Sequence, residues 1–150
     1  MSILSIATSG LSAASLRLSV AASNIANVLT TGPLPTTGGS GTSVGGTGSS
    51  SNNSNFPAAY VPLQVNQVDQ SSGSTPGGTV ATVSTVLPGF VPQFDPSAPF
   101  ANQDGLVAAP NVDLASEFVQ LVTAKYNFAA NAKVIQAYSD TTKSLLDITT

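Results

Sequence analysis

The sequence predicts an α+β protein with a long helix at each end of the chain and a small β-rich region between them. Three observations support this prediction. Residues 2–29 contain a single glycine and no proline, residues 30–110 contain all ten prolines, and residues 111–148 contain neither residue type. Because glycine and proline interrupt helices, we expect long helices only in the terminal segments. The predicted regions are residues 1–32, 33–110 and 111–150.

The first region carries a heptad repeat of apolar residues. Leucine or isoleucine recurs every seven residues, and alanine or valine follows each of them three residues later. This alternating spacing is typical of the seam of a coiled coil, and alanine at every second seam position lets a neighbouring helix approach closely. Gly32 followed by Pro33 predicts the end of the helix. The repeat positions are Leu4, Ala7, Leu11, Ala14, Leu18, Ala21, Ile25 and Val28.

The last region carries an apolar stripe with a similar but less regular spacing. Its members are Leu114, Phe118, Leu121, Phe128, Ala132, Ile135 and Leu146. Asp113 is the predicted N-cap, and Glu117 lies in the first turn, where the helix dipole favours negative charge. Val119, Val122 and Tyr126 lie off the stripe, so the apolar surface is wider than one partner covers. This width favours additional neighbours, from the chain's own middle or from other copies, and an ordinary helical hairpin within one chain remains the alternative.

The middle region contains two predicted strands and one low-complexity segment. Residues 59–68 are rich in valine and residues 79–87 in valine and threonine, and together they predict a small antiparallel sheet with a turn at residues 71–78. Pro62 has no N–H to donate, which predicts an edge position for the first strand. Two strands alone are marginal, so the sheet is expected to lean on a helix or a neighbour. Residues 36–55 are almost entirely Gly, Ser, Thr and Asn, a composition that predicts a flexible loop.

The composition excludes several classes of function. The chain has no cysteine and no histidine, which excludes disulfides, thiolate or imidazole metal sites and Ser-His-Asp catalysis. Four basic residues against seven acidic ones give a net charge of −3, without the basic cluster that nucleic-acid binding requires. We therefore predict no catalytic residue, no metal or cofactor site, no small-molecule substrate and no nucleic-acid partner. So little charge also favours association between copies.

The N-terminus does not look like a secretion signal. No basic residue precedes its first apolar residues, and serine and threonine interrupt every apolar run in the chain. A signal core or a membrane span needs a longer unbroken apolar stretch. The sequence therefore predicts neither a cleaved signal peptide nor a membrane-spanning helix.

Short motifs lie near both ends of the chain. The N-terminal motif reads Ser9-Gly10-Leu11, then Asn24-Ile25-Ala26-Asn27, and the C-terminal motif reads Asn111-Val112-Asp113, followed later by Asn131. Together these motifs resemble those of the axial proteins of the bacterial flagellum, the family of rod, hook and hook-associated subunits. The chain departs from the family pattern at Ser23 and Leu29, where asparagine is usual, and at residues 126–128, where Tyr-Asn-Phe replaces Arg-Ala-Tyr.

A third stretch narrows the resemblance within the family. Residues 95–113 are similar to the segment that precedes the C-terminal helix in the small proximal rod subunits, and a length of 150 residues also suits them. The resemblance covers roughly residues 2–32 and 90–148. It implies a non-enzymatic structural subunit whose terminal helices form an inner coiled-coil core, with the middle region facing outward.

The resemblance also implies partners and a location. Such subunits pass unfolded through the flagellar type III export apparatus without a cleaved signal, and assemble helically in the periplasm into the rod that transmits torque. The expected partners are copies of the chain, other flagellar rod proteins, the export apparatus and the basal-body ring proteins, with no cofactor. The expected assembly interface consists of the helix seams, at Leu4, Leu11, Leu18, Ile25, Leu114, Phe118, Leu121, Phe128, Ile135 and Leu146.

Three alternatives stay open at this point. The first is another rod, hook or adaptor component of the same family. The second is an enzyme such as a peptidoglycan-cutting accessory protein, and the third is a secreted binding module of unrelated fold. An enzyme of that kind needs a glutamate in a cleft, and Glu117, the only glutamate, is placed at a predicted helix start.

Overall fold

The structure is a computed structural model that describes residues 2–35, 56–71 and 77–148. The predicted flexible loop at residues 36–55 and the centre of the predicted turn at residues 71–78 lie outside the described residues. The elements in chain order are α1 Ile3–Asn27, β1 Leu63–Asp69, β2 Thr79–Thr85, β3 Phe90–Phe94, β4 Leu106–Pro110 and α2 Leu114–Ile148. The predicted α+β class with long terminal helices is confirmed.

The chain divides into two compact units. The first contains Met1–Ala22, Gln64–Ser84 and Ala115–Thr150, and the second contains Ser23–Leu63 and Thr85–Leu114. Most of α1, most of the β1–β2 sheet and nearly all of α2 therefore belong to the first unit. The last turn of α1 and the β3–β4 sheet belong to the second.

Hydroxyl side chains shape the beginning of α1. Ser2 precedes the helix, and its Oγ accepts a hydrogen bond from the Ser5 N–H at 3.3 Å, as an N-cap residue does. Inside the helix the hydroxyls turn back onto the backbone. Thr8 donates to the Ser5 carbonyl at 3.0 Å, and Ser9 donates to the Ile6 carbonyl at 2.7 Å. These bonds satisfy the hydroxyl donors locally, so the helix tolerates polar residues within an apolar pattern.

The mean hydropathy of α1 differs from what the interrupted apolar runs of the sequence predict. By length and composition α1 is apolar enough to cross a membrane, with a mean hydropathy of 1.3 over its best 18-residue window. The sequence predicted no such stretch because serine and threonine interrupt every apolar run, whereas the mean hydropathy averages over those interruptions. Helices of soluble cores and signal sequences near an N-terminus pass the same test.

The buried face of α1 is lined mainly by small residues. In the first unit its buried members are Ala7, Ala13, Ala14, Val20 and Ala21. The alanines of the predicted heptad repeat thus face inward, and small side chains permit close packing. The larger repeat residues lie at the edge of this face, because Leu11 and Leu18 are half-buried and Leu4 is exposed.

Helix α2 follows Asp113, the predicted cap position, and runs for 35 residues. Ala124 is its only buried residue among those described. A half-buried face runs through Glu117, Leu121, Asn131 and Ile135, and every described residue beyond Ile135 is exposed. Leu121 and Ile135 therefore lie on the inner face, whereas four predicted seam residues are exposed. Those four are Leu114, Phe118, Phe128 and Leu146.

The middle region contains two separate two-stranded sheets, β1–β2 and β3–β4. The first was predicted, although β1 begins at Leu63 rather than residue 59 and β2 ends at Thr85 rather than residue 87. Pro62, which lacks an N–H, stands just before β1 and accepts a hydrogen bond from Val86 N at 2.9 Å. The sheet is antiparallel, as predicted. Its hydrogen bonds pair residues early in β1 with residues late in β2, and residues late in β1 with residues early in β2.

The β3–β4 sheet was not predicted, because prolines obscured its strand pattern. Pro92 lies in the middle of β3, opposite Ala108, in an antiparallel register. Ala108 directs its own N–H and C=O to Gly32 on its other side, with distances of 2.9 and 3.0 Å. Pro92 thus occupies a position where the ladder needs no bond between β3 and β4, so its missing N–H costs nothing.

Candidate assembly site and family motifs

In the first unit, two motif residues form a single contact between α1 and α2. A Cβ atom placed on Gly10 would lie 2.7 Å from Oδ1 and 2.8 Å from Nδ2 of Asn131. Glycine is therefore required for the Asn131 carboxamide to lie against α1. The amide also donates to the Asn127 carbonyl at 2.9 Å, which holds the side chain along its own helix. Gly10 and Asn131, 121 positions apart in the chain, are thus parts of one helix–helix contact.

Ser9 joins α1 to the start of β2 within the same unit. Its hydroxyl donates to Ile6 and accepts a hydrogen bond from the Thr79 N–H at 3.1 Å. A Cβ on Gly78 would overlap the Ser9 hydroxyl, so Gly78 leaves the space in which the two elements meet. One hydroxyl thus satisfies an acceptor of the helix and a donor of the strand.

In the second unit, Asn24 is fully buried and binds the backbone of Leu63 on both sides. Its Nδ2 donates to the Leu63 carbonyl at 2.8 Å, and its Oδ1 accepts from the Leu63 N–H at 3.0 Å. The Tyr60 hydroxyl donates to the same Oδ1 at 2.9 Å and lies 3.1 Å from the Ser23 Oγ. The carboxamide thus acts like the backbone of an adjacent strand, and it positions the chain where β1 begins.

Two further motif asparagines stabilise the ends of elements in the second unit. Asn27, the last residue of α1, donates through Nδ2 to the Ser23 carbonyl at 2.9 Å. Asn111 follows β4, and its backbone N–H donates to Gly89 at 3.2 Å while its Nδ2 donates to the Pro88 carbonyl at 3.0 Å. The remaining motif residues are Leu11, Ile25 and Val112, which are half-buried, and Ala26 and Asp113, which are exposed.

The polar motif residues therefore make contacts within the chain. Sequence reasoning had identified them only by resemblance and had assigned them no partners. Asparagine inside a helix is the feature of the sequence that points to such contacts, because its amide competes with the backbone unless it has a partner. Among the described residues, every buried side-chain nitrogen or oxygen has a hydrogen-bond partner.

In the first unit, the outer surfaces of the helices combine large apolar side chains with small hydroxyl residues. An open groove is lined by Leu11, Ser12, Ser15, Leu16, Ser19 and Phe128. None of its lining residues is charged, so burying it against another surface would desolvate no ion. The small serines let a neighbouring backbone approach closely, and the leucines and Phe128 offer apolar area. The groove suits packing against a helix.

An assembly interface at the predicted seam residues stays a prediction, as does the coiled-coil packing of α1 with α2. Leu11 and Phe128 do come together at the groove. Within residues 2–35, 56–71 and 77–148, no three His, Cys, Asp or Glu side chains come together in a way that could hold a metal ion.

Comparison with known proteins identifies the family. A family model for flagella basal body rod proteins matches residues 4–33, and one for the C-terminal region of flagellar basal body rod FlgEFG proteins matches residues 103–148. The flagellar basal-body rod protein FlgC of Salmonella typhimurium is 33% identical, over 97% of this chain and 92% of its own length. FlgC proteins of Escherichia coli O157:H7 and Yersinia enterocolitica are 32% and 33% identical with the same coverage. This chain therefore belongs to the FlgC family of flagellar basal-body rod proteins.

Proposed function

We propose that this chain is a non-enzymatic structural subunit of the proximal flagellar rod, and that it polymerises helically in the periplasm into a shaft that transmits torque. Residues 1–32 and 111–150 form the axial core of this polymer, and residues 33–110 face outward. Membership of the FlgC family supports the rod assignment. The exposed surfaces of the two helices support the proposed mode of assembly.

The observation that carries the assembly proposal is the exposed apolar area of α2. Phe118, Val119 and Tyr126 are 51, 65 and 70% exposed, and Leu146 and Ile148 near the helix end are 68 and 78% exposed. Burying one such side chain fully contributes about 1.5–3 kcal/mol. A helix with this much exposed apolar area gains stability by packing against further helices, and other subunits supply them.

Helical polymerisation provides the stiffness that a shaft requires. Contacts in which one surface of a subunit meets a different surface of the next extend indefinitely when their rotation does not close a ring. Long helices packed at the density of a protein interior resist deformation because their side chains have no free volume to move into. Torque applied at one end is then carried through many parallel helix contacts.

The proposed partners are copies of this chain, other flagellar rod proteins, the type III export apparatus and the basal-body ring proteins. We also propose export without a cleaved signal. Mass spectrometry of the chain recovered from purified basal bodies tests this proposal directly. An intact N-terminal segment with Ile3 and Leu4 supports it, whereas a chain that begins beyond α1 contradicts it.

Substitution of the seam tests the assembly proposal. Leu11→Asp and Leu121→Asp each place a charge on an apolar face, and Gln120→Asp places the same charge on the neighbouring exposed position of α2. We expect both leucine variants to abolish swarming and to leave no rod in electron micrographs of isolated basal bodies, while Gln120→Asp retains both. Immunoblots for the exported chain separate failed assembly from failed export. Full motility of both leucine variants would refute the proposal.

A further inference from the structure

We infer that residues 36–55 are required neither for the fold nor for rod assembly, because the chain on either side of them is already joined at one crossing point. We call this crossing point the neck. It consists of Gly32 and residues 57–59, all in the second unit. The assembly half of the inference rests on the proposed rod function, whereas the folding half does not.

The outgoing side of the neck is fixed by β4. Gly32 forms an isolated antiparallel bridge with Ala108, in which each residue donates its N–H to the carbonyl of the other, at 3.0 and 2.9 Å. Gly32 is buried. The position of the chain before the segment is therefore set by a strand that lies far from it in the sequence.

The returning side passes directly over Gly32. A Cβ placed on Gly32 would overlap the backbone of Ala58 and Ala59 and would lie 2.9 Å from the Pro57 carbonyl oxygen. The backbone that enters the segment therefore touches the backbone that leaves it. Only glycine permits this contact, and the reason is space rather than an unusual backbone angle.

The returning chain is then held a few residues later by α1. Tyr60 and Leu63 are the residues that bind Asn24, through its hydroxyl and its backbone respectively. Both sides of the neck are thus fixed by partners outside residues 36–55, namely Ala108 and Asn24. Two chain points that touch need only a short connection, since loops of two to five residues join neighbouring strands in most hairpins.

The composition of the segment agrees with a dispensable connection. Residues 36–55 contain one apolar residue, Val44, and no charged residue. They offer almost no apolar area to a core or to an interface, and no charge with which to select a partner.

The test replaces residues 36–55 with Gly-Ser-Gly-Ser in the full chain, which leaves about nine residues between Gly32 and Ala58, enough for a loop. We expect swarming and rod incorporation to match those of the unmodified chain, and the urea midpoint of the purified chain to stay constant or rise, because a shorter loop costs less closure entropy. A matched pair of point variants tests the neck. Gly32→Val should lower the midpoint and abolish swarming, whereas Gly38→Val, inside the segment, should change neither.

The measurements separate a role of residues 36–55 in folding from a role in assembly. A replacement variant with a lowered urea midpoint overturns the folding half. A replacement variant that keeps its midpoint but loses swarming overturns the assembly half and assigns the segment a role in the rod. If Gly32→Val behaves like Gly38→Val, the neck contact is not needed. Failure of the rod function itself would appear separately, as normal motility of the Leu11→Asp and Leu121→Asp variants.

Discussion

Replacing Asn24 with alanine is predicted to destabilise the protein more than any other single change at a motif asparagine. The side chain is fully buried, and it hydrogen-bonds both backbone groups of Leu63 and the Tyr60 hydroxyl. Alanine removes both the donor and the acceptor. The Leu63 N–H and C=O then lose their partners, while the Tyr60 hydroxyl keeps Ser23 at 3.1 Å.

The size of the effect follows from these contacts. A buried polar group left without its partner costs about 1–3 kcal/mol, and the half-buried position of Leu63 lets water compensate in part. Two such backbone groups together with the lost Tyr60 bond give about 3 kcal/mol. With a urea m-value of about 2 kcal/mol/M, the midpoint should fall by about 1.5 M. Tyr60→Phe removes only hydroxyl contacts and should lower it by about 0.5 M.

The assay is urea denaturation of the purified chain, followed by far-UV circular dichroism. Asn27→Ala is the matched control, because it removes the same residue type from the same helix, where Nδ2 donates only to the Ser23 carbonyl. Alanine also has the higher helix propensity, so the control should change stability by less than about 0.5 kcal/mol. Equal midpoints for the Asn24→Ala and Asn27→Ala chains would refute the argument that the Asn24 carboxamide holds the start of β1.

Three further changes test the other contacts. Gly10→Ala should destabilise by about 1–3 kcal/mol although alanine normally stabilises a helix, and adding Asn131→Ala should recover most of that loss in the same urea assay. Ser9→Ala should cost about 1 kcal/mol and speed hydrogen exchange at the Thr79 amide, and an unchanged exchange rate would contradict the contact. Gly105→Ala should cost about 1 kcal/mol by thermal denaturation, because Gly105 has a φ of 73° that alanine disfavours.

The sequence predicted the elements whose signals are local. Segments free of glycine and proline became α1 and α2, and the valine-rich stretches became β1 and β2. It missed β3 and β4 because Pro92 and Pro110 contradict a strand pattern. Pro92 is tolerated because it faces Ala108 in a pair without hydrogen bonds, and Ala108 bonds instead to Gly32, 76 positions away. No window along the sequence contains both residues.

The motif contacts were missed because they also join residues that lie far apart in the sequence. The resemblance identified Asn24, but the partner that explains it is 39 positions away in the chain. A buried asparagine is recognised by its hydrogen bonds, which depend on the tertiary structure, whereas a heptad of leucines is recognised by its spacing alone. The candidate site was therefore predictable as an apolar seam and not as a set of polar contacts.

The polar motif residues support folding of the single chain, whereas the apolar seam residues support assembly of the rod. Ser9 and Asn24 make hydrogen bonds between distant segments of one chain, and Gly10 leaves the space in which Asn131 lies against α1. Such contacts specify which segments meet, because a buried amide such as that of Asn24 tolerates no wrong partner. Apolar residues such as Phe118 are exposed in the single chain, and apolar area contributes free energy against any surface that excludes water. A polar-motif variant should consequently lower the stability of the isolated chain, whereas Phe118→Asp on the exposed part of the seam should affect rod formation more than the urea midpoint. Coincident losses in both assays for both classes would show that folding of the subunit and assembly of the rod are one event.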